Sequence, residues 1–488
     1  MADMKTGEKD PGFSEYDLSG QITETLALLG YDMPTQVQQK VIPLALLGTD
    51  LVVRSQTGTG KTAAFAIPVC EKVVWEENLP QALVLEPTRE LAVQVSRELF
   101  QIGRKKRLKV PAVFGGFPID KQIQTLRQKS HIVVGTPGRV MDLVRRGSLK
   151  LDKVQYLVID EADLMFDMGF QEEMRQIISQ LPADRQTMLF SATLDEQVQL
   201  LAEDAARDAV FVQQEEDGQE RLIEQSIYEA EQDQKYECLK KILIKENPDS
   251  CMIFCGTREM VNVLFQKLRR DRIFCGMIHG EMEQKERQRT VDAFQKKGFR
   301  FLIATDVAAR GIDFDDISLV VNYDFPTGKE TYVHRIGRTG RMGKKGRAVS
   351  LIVEGERGML QKVEDYTEIA LAVLPCPEPD EVARQAFWAH QRKKTVPKAS
   401  KAEALNKTVL RLTVGGGRKS KMRAGDIVGA ICSIEGMTAE DIGVIDIRES
   451  LTYVEILNQK GPLVLEELQS KEIKGKMRKV RASSRMSS

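Results

Sequence analysis

The chain has 488 residues, 42% of them hydrophobic and 29% charged, with 71 Lys and Arg balancing 71 Asp and Glu. That composition fits a soluble globular protein, and the length divides into roughly three domains of about 150 residues each. No apolar run approaches the ~18 residues a membrane helix needs, and the opening MADMKTGEKDPGF has no apolar core of a secretory signal.

The balanced charge hides an asymmetry. Residues 384–488 hold 21 Lys and Arg against 11 Asp and Glu, a net +10, which leaves −10 on the remainder. A basic tail on an acidic body points to a polyanion partner. The seven cysteines are scattered, and the closest pair, Cys251 and Cys255, has no companion Cys or His nearby. They read as buried free thiols of a cytoplasmic protein, without a metal or a disulfide.

In chain order, the apolar runs DLVVRS (50–55), ALVLEP (82–87), IVVGTP (132–137), YLVIDE (156–161) and TMLFSAT (187–193) predict strands. Helical patterns separate them, which indicates a parallel sheet covered on both faces. After the polar segment 213–220 the pattern restarts with CMIFCGT (251–257), FLIATD (301–306), LVVNYD (319–324) and AVSLIV (348–353). The Pro-rich LPCPEPDE (374–381) closes this second domain, and 384–401, with six positive and no negative charges, reads as a basic helix or linker. From about Leu405 a small βαββαβ unit is predicted. The expected divisions are a disordered 1–12, α/β domains at 13–208 and 209–375, a basic linker at 376–404, the small domain at 405–482 and a disordered tail at 483–488.

SQTGTGKT (55–62) follows a strand and opens a helical pattern, the context that a phosphate-cradling loop requires. Gly58 and Gly60 let successive N–H groups converge on phosphate oxygens at the positive end of a helix dipole. Lys61 can reach the β- and γ-phosphates, and the Thr62 hydroxyl can ligate Mg²⁺; Ser55 stands where the strict pattern has Gly. The strand ending in Asp160 and Glu161 supplies the acids that a Mg²⁺-nucleotide site needs. Asp160 suits Mg²⁺ through water, and Glu161 suits orienting or deprotonating the attacking water. Solvated carboxylates opening a helix are the competing reading, and the neighbouring GTGKT weighs against it.

DEAD (160–163), SQTGTGKT and SAT (191–193) together resemble the DEAD-box family of RNA-dependent ATPases, and further family motifs run in order through residues 13–375. The resemblance implies two RecA-like domains, ATP and Mg²⁺ as cofactors, and RNA as partner. It implies nucleotide contacts from Phe13 and Gln38 to the base, from Ser55, Gln56, Thr57, Gly58, Thr59, Gly60, Lys61 and Thr62 to the phosphates, and from Asp313 to the ribose. PTREL (87–91), GG (115–116) and TPGR (136–139) imply RNA-backbone contacts by Arg89, Gly116, Thr136 and Arg139, with Arg258 and Thr305 in the second domain. Asp163, Ser191 and Thr193 would couple hydrolysis to the RNA groove. In HRIGRTGR (334–341), Arg338 and Arg341 would be arginine fingers, always charged and bidentate. ATP and RNA that each favour a closed pair of domains must tighten one another.

The last domain looks like an RNA-recognition motif in strand order, but its first and third strands offer only Tyr453 for stacking. Basic residues gather at its loops instead, and Arg418, Lys419, Lys421 and Arg423 of GGGRKSKMR (415–423) are the expected RNA contacts. With TAEDIGVIDI and YVEILNQKGP, this unit is similar to the bacterial DbpA-type subfamily. That likeness implies a helicase that remodels large-subunit ribosomal RNA during ribosome assembly, and the short passage from the second α/β domain into the basic linker favours a monomer. The alternative is a general RNA chaperone or RNA-binding anchor without that specificity. A GTPase is disfavoured, since no guanine-reading NKxD element lies in the α/β domains. His131, His390, Trp75 and Trp388 carry no site signal, and both tryptophans read as packing residues.

Overall fold

The computed structural model describes residues 12–55, 59–213, 223–309, 312, 314, 317–340, 345–393 and 403–483. The chain divides into two compact units, one holding 1–55, 60–213 and 400–488, the other 56–59 and 214–399.

The first unit contains a seven-stranded sheet. Its strands are β1 (Leu51–Arg54), β2 (Ala82–Leu85), β3 (Ala112–Val113), β4 (Ile132–Gly135), β5 (Tyr156–Ile159), β6 (Gln186–Ser191) and β7 (Val210–Gln213). They lie in the order β3-β4-β2-β5-β6-β1-β7, and all pairs are parallel. Side chains alternate between two cores. Val84 and Val158 pack on the face of the helix Lys61–Lys72, while Leu85 and Ile159 pack on the other. This order brings the carboxyl ends of β5, β6 and β1 side by side, where a doubly wound sheet binds its ligand.

The second unit repeats the plan. Strands β8 (Ile223–Glu229), β9 (Cys251–Cys255), β10 (Cys275–Ile278), β11 (Phe301–Thr305), β12 (Leu319–Asn322), β13 (Gly346–Ile352) and β14 (Val373–Pro375) lie in the order β10-β11-β9-β12-β13-β8-β14. Counted from each unit's first strand, the two sheets have one and the same order.

One expectation is overturned here. Cys238, on the helix Lys235–Glu246, is disulfide-bonded to Cys376 just past β14, with Cα atoms 5.6 Å apart. The partners are 138 residues apart in sequence, so no local spacing announced them. The other five cysteines are free; Cys70, Cys251, Cys255 and Cys275 are buried and Cys432 is exposed. Trp75 is likewise no packing residue. It is 42% exposed, and the Lys129 ammonium stands 3.8 Å from its ring centre.

The small domain has β15 (Leu410–Gly415), the helix Ala424–Cys432, β16 (Ile442–Ile447), β17 (Leu451–Ile456), the helix Gly461–Glu467 and β18 (Val480–Ala482). Its antiparallel order is β16-β17-β15-β18, and Leu412, Val414, Val454 and Ile456 face its own core. Among the described residues no helix is long and apolar enough to cross a membrane.

Candidate active site

The site starts at the turn from β1 into the helix Lys61–Lys72. Gly60 there has φ +92°, and a Cβ on it would stand 2.5 Å from Gln38 Nε2. Only glycine meets both demands. Gln38 is buried, with Nε2 donating to Gly60 O at 3.0 Å and Oε1 accepting from Thr35 N at 3.0 Å. It therefore pins the start of the helix Gln36–Leu46 to the turn at Gly60. Phe13 is buried edge-to-face against Tyr16 and Tyr31. Ser55 N donates to Ser191 O at 3.0 Å, tying β1 to β6; Thr59 is buried and Thr62 half-buried. Gln56, Thr57, Gly58, Asp313 and Arg341 lie outside the described residues.

Lys61 is buried with its Nζ 2.6 Å from Glu161 Oε1 and 3.8 Å from Asp160 Oδ1. Asp160 Oδ1 also accepts from Glu161 N at 2.9 Å. Glu161 adopts left-handed backbone angles, φ +51° and ψ +51°. A non-glycine residue held this way costs about 1–2 kcal/mol, the kind of strain found at functional sites. Burial works against the charge on Lys61, but Glu161, Asp160 and Asp163 outweigh it and hold the ammonium above its usual range. Burial, with Glu161 adding to it, pushes Asp160 up to about 7 despite Lys61.

Asp163 links this cluster to β6. Its N–H donates to Ser191 Oγ at 3.3 Å, and its Oδ2 accepts from Thr193 N at 3.2 Å and Thr193 Oγ1 at 3.4 Å. The three residues expected to couple are thus in direct contact. Gly116 has φ +74°, and a Cβ on it would collide with the Arg89 guanidinium. Arg139 donates to Phe117 O at 3.0 Å, and burial, with Arg89 adding to it, disfavours its charge. Thr136 is buried where the helix Pro137–Arg145 begins.

In the second unit, Arg338 is buried and donates to Ile312 O at 3.0 Å, and Thr305 ends β11. Arg258 is exposed and ion-paired with Glu281. Arg335, in the same run as Arg338, is spent internally on Asp306, Asn322 and the carbonyl of Asp324.

In the small domain, Lys421 has φ +55°, Arg423 N donates to Asp426 at 2.8 Å, and Lys419 faces Glu449 at 3.4 Å. Arg418 reaches Gln124 O of the first α/β domain at 3.4 Å.

Three residues that sequence reasoning passed over matter most. Glu86 follows β2, is 0% exposed, and among the described residues has no hydrogen-bond partner on either carboxylate oxygen. Arg104 and Glu455, both buried, join the first α/β domain to the outer face of the small sheet. Arg104 Nε and Nη2 donate to Glu455 at 3.2 and 2.9 Å, and Nη1 donates to Asn406 at 2.7 Å. Gln128 donates to Asp446 at 3.1 Å nearby, and Leu405 is fully buried in the first domain's core.

Comparison with known proteins follows this geometry. The DEAD/DEAH box helicase family matches residues 35–201, the helicase conserved C-terminal domain 234–343, and the DbpA RNA binding domain 411–482. The ATP-dependent RNA helicase DbpA of Bacillus subtilis (strain 168) is 49% identical over 471 residues, 96% of this chain and 98% of that one. The chain belongs to the DbpA-type DEAD-box RNA helicases. The ATP-dependent RNA helicase CshA of Listeria monocytogenes is 40% identical over 370 residues, 76% of this helicase and 71% of CshA. S. cerevisiae Dbp5 bound to RNA and ADP BeF3 superposes with a TM-score of 0.68 at 32% identity, covering 78% of this chain and 99% of that one. This helicase is an ATP-dependent enzyme, and RNA is its partner.

Proposed function

We propose that this helicase remodels large-subunit ribosomal RNA during ribosome assembly, acting as a cytoplasmic monomer directed by its small domain. What carries the reading is one chain joining the buried Lys61, Asp160 and Glu161 cluster to a DbpA RNA binding domain. The domain limits set out from the sequence go with it.

Lys61 moves from Glu161 to the β- and γ-phosphates when nucleotide arrives, cradled by residues 55–62. Glu161, so released, orients the attacking water and takes its proton. Gln38 and Phe13 would hold the base and Asp313 the ribose. Arg338 and Arg341 stabilise charge on the transferring phosphoryl group, a role worth about 10³–10⁵ in rate elsewhere. Asp163, Ser191 and Thr193 pass the state of the site to the RNA contacts Arg89, Gly116, Thr136, Arg139, Arg258 and Thr305. Arg418, Lys419, Lys421 and Arg423 grip the tethering RNA. Thr62 and Asp160 would hold Mg²⁺, which supplies positive charge at the phosphates. The donor set fits, since three buried carboxylates, Glu86, Asp160 and Glu161, face the single ammonium of Lys61.

The test is the ATPase rate against three RNAs of equal length at fixed salt: a ribosomal fragment with the peptidyl-transferase-region hairpin, an unrelated structured RNA, and a single strand. Strong stimulation by the ribosomal fragment alone, lost on truncation at about Ala383, is the expected result. Equal stimulation by all three sinks the ribosomal specificity.

A further inference from the structure

We infer that Glu86 is a third carboxylate of the metal–nucleotide site, placed to accept hydrogen bonds from water bound to the site's divalent cation. The inference rests on the Mg²⁺ reading above. β2 and β5 are parallel neighbours with Leu85 opposite Ile159, and the ladder runs on past both, Asp160 N donating to Leu85 O at 3.1 Å and Glu86 N to Gly135 O at 2.9 Å. Glu86 is therefore the neighbour of Asp160 on the adjacent strand. Val84 and Val158, two residues earlier on each strand, pack on the face of the helix that Lys61 opens. Alternation sends Glu86 and Asp160 to that same side.

Glu86 arrives there without a donor. It is 0% exposed, and among the described residues neither oxygen has a partner, an arrangement that buried polar groups rarely tolerate. The Lys61 ammonium, which favours the charge on Glu86, is engaged by Glu161 at 2.6 Å. Burial first, then Asp160 and Glu161, raise the Glu86 pKa well above the carboxylate range, against the pull of Lys61. A bound cation would favour the ionised form, and Mg²⁺ keeps several waters, which would supply the donors Glu86 then lacks. Outer-shell groups that hold such waters commonly tune metal affinity 10–100-fold.

The experiment measures Mn²⁺ binding to the full-length protein with ADP by electron paramagnetic resonance, for the wild type, Glu86→Gln and Glu86→Asp. Glu86→Gln keeps the size but cannot ionise when the cation arrives, so its Mn²⁺ Kd should rise about 10–100-fold. Metal-free ADP affinity should stay within about threefold, and nucleotide-free thermal stability should not fall. Glu86→Asp, still ionisable but shorter, should lie between. Wild-type binding matched by Glu86→Gln overturns the inference alone. Absence of Mn²⁺ binding by the wild type overturns the Mg²⁺ reading and this inference with it.

Discussion

Two buried cations of the first unit face buried carboxylates, and they are balanced in opposite ways. Arg104 meets one carboxylate, Glu455, in bidentate fashion and spends a further N–H on Asn406. Lys61 meets Asp160 and Glu161, with Glu86 beside them unpaired. The first cluster is a finished joint, satisfied by geometry and neutral in sum. The second is over-acidic, strained at Glu161 and short of donors. A protein keeps such an excess only where something else completes it. Satisfaction and its absence therefore separate structure from chemistry among groups equally buried.

The largest effect should come from disturbing the unfinished cluster. Glu161→Gln should lower RNA-stimulated ATPase turnover by roughly 10²–10⁴-fold, as loss of a general base does. Its nucleotide-free melting temperature should fall less than that of Arg104→Ala, because Asp160 still stands 3.8 Å from the Lys61 ammonium. A melt that falls as far as that of Arg104→Ala would make Glu161 a structural residue like Glu455.

Arg104→Ala should do the reverse, costing about 3–5 kcal/mol by leaving Glu455 buried and unpaired. Urea denaturation of the full-length chain reads this directly. A double Arg104→Met, Glu455→Leu variant should recover most of the loss. Failure to recover would show that Arg104 matters for something other than its pair.

Next comes the buried imidazole of His131. Lys109 N donates to His131 Nδ1 at 2.7 Å, and His131 Nε2 lies 3.1 Å from Trp75 O. Nδ1 accepts, so the imidazole is neutral. Burial, against the pull of Trp75 O, holds its pKa down at about 4. The unfolded chain, near 6.5, binds the proton first, so stability present above pH 6.5 drains away as pH falls towards 4. The full span is worth about 3 kcal/mol. His131→Gln should flatten the stability profile between pH 7 and 5; an unchanged slope would assign it to other groups.

The smallest effect belongs to the rim. Gln128→Ala removes the 3.1 Å bond to Asp446, and the loss should stay within about 0.5–1.5 kcal/mol. A loss as large as that of Arg104→Ala would mean that the joint has no centre.

Much of this was legible in the sequence where burial is complete on both faces. β2, β4 and β9 read as unbroken apolar runs, and Gly60, Lys61 and Asp160 stood where a strand–loop–helix needs them. The strands at or near the sheet edges were not legible. β3 has two residues, β14 ends in Pro375, and β7 exposes three of its four side chains. β8 puts Glu224, Gln225 and Ser226 in a row between Ile223 and Ile227, so it offered no run. Glu86 was hidden because it sits between a strand and Pro87, where a charge reads as loop. Arg104 was hidden because its partner follows 351 residues later, beyond any periodic signal.

That separation also sets an order of events during synthesis. Domains fold from the N-terminus as the chain emerges at about 5–20 residues per second. Arg104 must then stay solvated for roughly 20–70 s before Glu455 exists, and the place Leu405 fills in the first domain's core stays open nearly as long. The first α/β domain begins to fold earliest and is completed last. A ribosome stalled within the small domain would leave a helicase core whose Lys61, Asp160 and Glu161 are in place while its flank is still unsealed.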